Sequence, residues 1–181
     1  MKSSGGLTNR FLVRYHFPAD CGRGNLNPFY MEILNNEIQP WHLESLGNEK
    51  VPHYADFKGK PLLILFFYLG CPGCTGRAIP FANRMVYEHQ DKINVLGIHS
   101  NFEGPEYSDE DIISTLNLLH ARFPFFRDSG LATTFHDYQA AGTPHWILVN
   151  KDGKVIRSIF GSEPNRSLLW LDYAINEEIS S

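Results

Sequence analysis

The sequence predicts an α/β domain in which helices flank a mixed β-sheet. Three observations carry that prediction. "PLLILFFYL" (61–69) is apolar throughout, as a strand buried on both faces must be. "INVLGIHS" (93–100) is a second such run, with a helical pattern on either side. "HWILVNKDGKVIRSIFG" (145–161) is a hairpin signal, two apolar runs around an Asp152–Gly153 turn. Strand–helix–strand–helix followed by a hairpin and a helix is the order of an α/β sandwich.

Each element has its own justification. In "RFLVRYHF", Phe11, Val13, Tyr15 and Phe17 alternate as on a strand face, and "PADCGRGNLNP" is a turn-rich break. Residues 1–37 are therefore set apart as an N-terminal extension, a hairpin or an arm, before a domain spanning 38–181. "PWHLESLGNEKVPHYADFKGK" supplies a short strand, a turn at Gly47–Asn48 and a connection ending at Gly59. Residues 72–90 carry Ile79, Met85 and Val86 among polar positions, a helix interrupted near Pro80. Ser108 caps the next helix, and Asp109, Glu110 and Asp111 suit its positive end. Ile112, Ile113, Leu116, Leu119 and His120 follow at helical spacing, with Pro124 as the stop. "FPFFRD" is a short strand and "GLATTFHDYQA" a short helix. Leu168, Leu169, Leu171 and Ile175 form the apolar face of a closing amphipathic helix.

Composition removes several function classes. A chain of 181 residues with 43% hydrophobic and 20% charged residues is ordinary for a globular domain. A net charge of -4 leaves no basic footprint for nucleic acid or an anionic membrane. No stretch reaches the roughly 18 apolar residues of a membrane span. The N-terminus has neither an apolar signal-peptide core nor a small-residue cleavage site. As written the chain is expected in the cytoplasm; an exported, periplasmic protein whose leader had been removed would look the same. Three cysteines are too few for a disulfide framework.

The chemistry concentrates in "FFYLGCPGCTGRAIP" (66–80), where Cys71-Pro72-Gly73-Cys74 follows the buried strand directly. Cys71 then sits where a helix begins, and free N–H groups and the macrodipole favour thiolate over thiol. Pro72 suits the first turn because its missing N–H costs nothing there. Cys74 lies one turn on, close enough to attack a mixed disulfide on Cys71. Two inert structural thiols are a poor fit, since Pro-Gly is unfavourable inside a helix. Zinc would need two further ligands, and the eight histidines include no H-x₃₋₅-H pair. The spacing predicts a redox-active dithiol, with no metal and no organic cofactor. In "AAGTPHWILVN", Pro144 opens a buried strand after Gly-Thr, which marks Thr143–Pro144 as a tight bond that the cis isomer would suit.

Together, "FFYLGCPGC" with its following Ile-Pro and the downstream "GTPHWILVNKDGKVI" resemble the thioredoxin-like superfamily. The closer likeness is to TlpA-like thiol–disulfide oxidoreductases of the redoxin group, over about residues 38–178. That resemblance implies a thioredoxin-like sandwich with a helical insertion between "INVLGIHS" and "FPFFRD". It implies Cys71 as attacking thiol and Cys74 as resolving thiol, supported by Pro72 and Gly73. Thr143 and Pro144 would form the cis-Pro loop that packs on the disulfide and offers backbone hydrogen bonds to a partner. The implied partner is a protein or small molecule bearing a disulfide or dithiol. Three positions depart from the pattern. Pro80 follows Cys74 by six residues where the family has five. Leu65 stands where thioredoxins carry a buried acid, and Arg77 where TlpA-like proteins often place a glutamate.

Two alternatives stand beside this reading. "PGCTGRAIPF" is similar to the active-site stretch of bacterioferritin-comigratory peroxiredoxins, with Cys74 as peroxidatic thiol. The P-x-x-x-T-x-x-C pattern fails in both frames, placing Cys71 and Phe67, or Tyr68 and Ile64, where Thr and Pro belong. The second alternative is a non-catalytic thioredoxin-like binding module using apolar surface from "FFYLG" and His145–Trp146, although Phe66, Phe67 and Trp146 at strand positions belong more naturally to a core. Cys21 is expected to be a spare thiol, and His99 and His136 to be locally hydrogen-bonded rather than catalytic.

Overall fold

A computed structural model describes residues 33–47 and 49–180 of the protein. Cys21, the predicted strand at 11–17 and Asn48 of the predicted turn lie outside the described residues. Six strands form one mixed sheet in the order β1-β4-β3-β2-β5-β6. The all-apolar run becomes β2 (Leu62–Phe67), every residue of it buried. It pairs in parallel with β3 (Asn94–His99), which pairs in parallel with β4 (Phe125–Asp128). The hairpin strands β5 (His145–Val149) and β6 (Val155–Phe160) add antiparallel on the other side, and β1 (Leu43–Glu44) closes the far edge against β4.

Strand alternation divides the core in two. Leu63, Leu65 and Phe67 face one side, with Trp146 and Leu148. There they pack on α1 (Ile79–His89), α2 (Asp109–Leu118) and α4 (Leu169–Ser180). Leu62, Ile64 and Phe66 face the other side, against Phe135 of α3 (Thr133–Asp137), Tyr138, and Ile33 and Ile38 of the entering chain. Asn35 N–H donates to the Val155 carbonyl at 2.7 Å, tying that entering segment to β6. No helix among the described residues is long and apolar enough to cross a membrane.

Three sequence expectations need correction. The helix after Cys71 is not broken at Pro80: it runs from Pro72 to His89, widened to a π-turn over Cys74–Ala78. Helix α2 ends at Leu118, well before Pro124. His120 adopts a left-handed φ of 53°, and Ala121 N–H returns to the Leu116 carbonyl at 2.9 Å, the closure of a Schellman-type end. On the last helix Leu171 and Ile175 are fully buried but Leu169 is exposed, because the 3.6-residue period turns it off the face they share. The predicted cap of α2 is present as a reciprocal pair: Asp111 N–H donates to Ser108 Oγ at 3.1 Å and Ser108 N–H to the Asp111 carboxylate at 3.2 Å.

Candidate active site

Four segments meet at the C-terminal ends of β2 and β3. The first is the turn Tyr68–Cys71, closed by Cys71 N–H donating to the Tyr68 carbonyl at 3.1 Å. The helical run starts immediately after it, with Cys74 and Thr75 N–H groups both donating to the Cys71 carbonyl, at 3.0 and 3.2 Å. Cys71 therefore caps the helix and is half-buried, while Cys74, one turn later, is fully buried beneath it. Both thiols are free. Burial pushes the Cys74 thiol well above its ordinary range, and its hydrogen bond with Cys71 adds to that rise.

The second segment is the loop entering β5. The Thr143–Pro144 bond is cis, Pro144 is buried and Thr143 half-buried. The Cys71 thiol donates to the Thr143 carbonyl at 3.2 Å, so residues 72 apart in sequence touch through the reactive sulfur. The third segment, Gly161–Ser162 after β6, fixes that loop: Gly161 N–H donates to the Pro144 carbonyl at 2.8 Å. Trp146 Nε1–H donates to the Gly161 carbonyl at 3.0 Å. Gly73 lies between these parts, and the reason for glycine there is space. A Cβ at Gly73 would stand 2.9 Å from Ser162 Oγ, 3.6 Å from Pro144 Cδ and 3.7 Å from Cys71 Sγ. Pro72 is exposed at the rim.

The fourth segment, 101–107, follows β3 and forms a wall. Tyr68, itself 7% exposed, donates its hydroxyl hydrogen bond to the Pro105 carbonyl at 2.7 Å. Gly104, at φ 90°, passes so close that a Cβ there would lie 2.6 Å from the Tyr68 hydroxyl. Arg127 holds the far end of the wall by donating to the Tyr107 carbonyl at 2.8 Å. Between this wall and Ala141, Thr143 and Phe160 runs a groove of about 970 Å³ with Cys71 at its base.

Beneath the wall lies His99, 1% exposed, its ring against Phe67, Tyr68 and Tyr107. Leu69 N–H donates to His99 Nε2 at 3.4 Å, and Nδ1 has no hydrogen-bond partner among the described residues. Burial, then the charge of Arg127, lowers its pKa to about 4, so the imidazole is neutral at pH 7. His145, beside Pro144, is likewise pushed down to about 4 by burial. It accepts from Ala141 N–H at 3.3 Å on Nδ1, which leaves Nε2–H to donate to Ser158 Oγ at 2.8 Å.

The predicted residues Cys71, Pro72, Gly73, Cys74, Thr143 and Pro144 thus fall in one place. Leu65 and Arg77, the departures from the family pattern, behave differently: Leu65 is fully buried in the core and Arg77 is exposed. Phe66, Phe67, His145 and Trp146, the apolar surface invoked for a binding module, are all fully buried. Sequence reasoning missed Tyr68, Phe102, Glu103, Tyr107, Phe160 and Ser162. One signal was available: "FEGPEY" is a Gly/Pro-rich loop directly after a central parallel strand, where α/β sheets build their sites. No group of three or more His, Cys, Asp or Glu side chains among the described residues is placed to hold a metal ion.

Known proteins share this fold. A crystal structure of a thioredoxin-like superfamily protein superposes with a TM-score of 0.71 and 27% identity, covering 80% of this chain and 97% of the other. A thiol-disulfide isomerase from Corynebacterium glutamicum superposes at 0.71 with 22% identity, covering 81% and 97%. The class is therefore the thioredoxin-like fold. The Redoxin family model matches residues 35–170, well over half of the chain, and the protein belongs to the Redoxin family. Among curated relatives, the thiol-disulfide oxidoreductase ResA of Bacillus thuringiensis is 26% identical over 117 residues, 62% of each chain. The alignment thus spans less than two thirds of that relative's length.

Proposed function

We propose that the protein is a thiol–disulfide oxidoreductase acting on a disulfide- or dithiol-bearing protein. The observation that carries this reading is the asymmetry of the pair: Cys71 half-buried at the base of an open groove, Cys74 fully buried one helical turn behind it. Of these two sulfurs, the outer one is open to a partner and the inner one is placed to displace that partner.

In the reducing direction, the Cys71 thiolate attacks one sulfur of a partner disulfide. The partner's sulfur–sulfur bond breaks, its other sulfur leaves as a thiolate, and a mixed disulfide on Cys71 forms. Cys74 then loses its proton and attacks Cys71 Sγ. The mixed disulfide breaks, the second partner thiol leaves, and the Cys71–Cys74 bond closes. Two electrons pass from the protein to the partner. Because burial holds the Cys74 proton tightly, the inner thiol stays protonated until the mixed disulfide has formed. Gly73 keeps the bridge between the two cysteines thin enough for Ser162 and Pro144 to close over it. The Thr143 carbonyl, now accepting from the Cys71 thiol, becomes available once that sulfur is bonded to another.

A peroxidase with Cys74 as the attacking thiol is less well supported, because that sulfur is fully buried and its burial disfavours the thiolate. The assignment of roles is tested by trapping. Cys74→Ser should accumulate a covalent mixed disulfide with an oxidised protein substrate, visible by non-reducing electrophoresis and reversed by dithiothreitol. Cys71→Ser should trap nothing. Trapping through Cys74 in the Cys71→Ser protein would reverse the assignment.

A further inference from the structure

The groove beside Cys71 is built for a particular kind of partner, an inference that rests on the exchange reaction proposed above. Its volume, about 970 Å³, is at the upper end of what a compact ligand fills. Its walls are aromatic: Phe102 and Tyr107 on one side, and on the other Phe160, which is 47% exposed although it flanks a reactive sulfur. The Phe102–Tyr107 wall is held from behind by the Tyr68 hydroxyl and by Arg127, so binding need not first order it. Among the residues lining the groove, Glu103 is the one that carries a charge, and it is exposed at the lip. Among the described residues, no lysine or arginine lines it.

We infer that the groove selects a polypeptide disulfide with a bulky apolar residue next to its cysteine and a lysine or arginine within reach of Glu103. An aromatic side chain beside the partner's cysteine fills the space between Phe160 and Tyr107 and leaves water. A cation meets Glu103, and an anion meets it with nothing opposite to compensate. Glutathione disulfide is the counter-case: small relative to the groove, with no large apolar group, and with a net negative charge where the site offers no cationic clamp.

The test is a competition among substrates of the reduced protein. Cystine-linked peptides carrying Phe or Ser beside the cysteine, and Lys or Glu three residues away, are compared with glutathione disulfide and the neutral hydroxyethyl disulfide. The Phe/Lys peptide should have the highest kcat/KM, about tenfold or more above the Ser/Lys peptide. It should exceed the Phe/Glu peptide by roughly three- to tenfold. Glu103→Lys should invert the Lys/Glu preference, and Phe160→Ala should flatten the Phe/Ser preference. Both are ratios within one preparation, so a loss of folded protein cancels. Equal rates across the peptides, glutathione disulfide as the best substrate, or an unchanged Lys/Glu ratio in Glu103→Lys would overturn the inference; reduction of hydroxyethyl disulfide would leave the exchange function standing. If neither the peptides nor hydroxyethyl disulfide is reduced, the exchange function falls and this inference with it.

Discussion

Two imidazoles, His99 and His145, are buried within the site's framework, and each is neutral for a physical reason. His99 accepts from Leu69 N–H, which a protonated ring could not do, and His145 accepts from Ala141 N–H. Both pKa values fall from the ordinary 6.5 to about 4 in the folded state. The sign of the linkage follows. Above about pH 6.5 neither folded nor unfolded histidine binds a proton, and the stability is whole. As pH falls from 6.5 toward 4 the unfolded chain takes up protons that the folded protein refuses, and stability is lost. The loss is on the order of 3 kcal/mol per histidine by pH 4. Denaturant melts between pH 7.5 and 4 should show ΔG declining with an uptake near two protons around pH 5, reduced by about one in His99→Gln. A flat profile over that window would contradict the burial argument. Residue by residue, the positions that meet at the base of the groove were legible because Cys-Pro-Gly-Cys and Gly-Thr-Pro are local signals. Ser162 and Tyr68 were not, since their importance arises only from what tertiary contact brings against Gly73 and Gly104.

At the scale of the element, the extra residue between Cys74 and Pro80 finds its place in the π-turn. A π-turn spans one residue more than an α-turn: Ile79 N–H donates to the Cys74 carbonyl, five residues back. The surplus is taken up in the first turns of the helix, and Ala78, Ile79, Ala82 and Met85 still reach the core. The wider turn also relieves the contact that Pro80 would make with the carbonyl four residues before it. Counting against the family pattern put Pro80 one residue late, through an insertion or a slip of the match, and did not show how the helix would accommodate it. Gly76 is exposed and has open space where a side chain would stand, so no side-chain contact is lost with it. Deletion of Gly76 should give a folded protein with a regular helix after Cys74 and a stability within about 2 kcal/mol of the parent, measured by thermal melting and near-ultraviolet circular dichroism. Loss of cooperative folding would mean that the turn is an integral part of the packing. The short helix α3 shows the opposite limit of sequence reading. Its start is capped by Asp128, which accepts from the Thr134 and Phe135 N–H groups at 2.7 and 2.9 Å and from Ser100 Oγ at 2.8 Å. That cap comes from a preceding strand and has no local signature.

At the scale of the molecule, strand order decides which loops become neighbours. With β2 central between β3 and β5, the Cys71 turn, the 101–107 wall and the cis-Pro loop converge at one end of the sheet. The apolar runs and the hairpin made the strands themselves readable. Their order in the sheet was available only through the family resemblance, because periodicity does not say which strands pair. Leu65 and Cys74 are both fully buried in one apolar cluster, and that burial is the main reason the Cys74 thiol is pushed above its ordinary range. The account therefore stands on Cys71 and Cys74 acting as one two-electron couple. The direct measurement is equilibration of the protein against a dithiothreitol redox series, followed by acid quench, alkylation and mass spectrometry. A single transition in which Cys71 and Cys74 become blocked together, as an internal disulfide two hydrogen atoms lighter, is the predicted result. Thiols that stay free across the series, with peroxide converting Cys74 alone to the sulfenic acid, would contradict it.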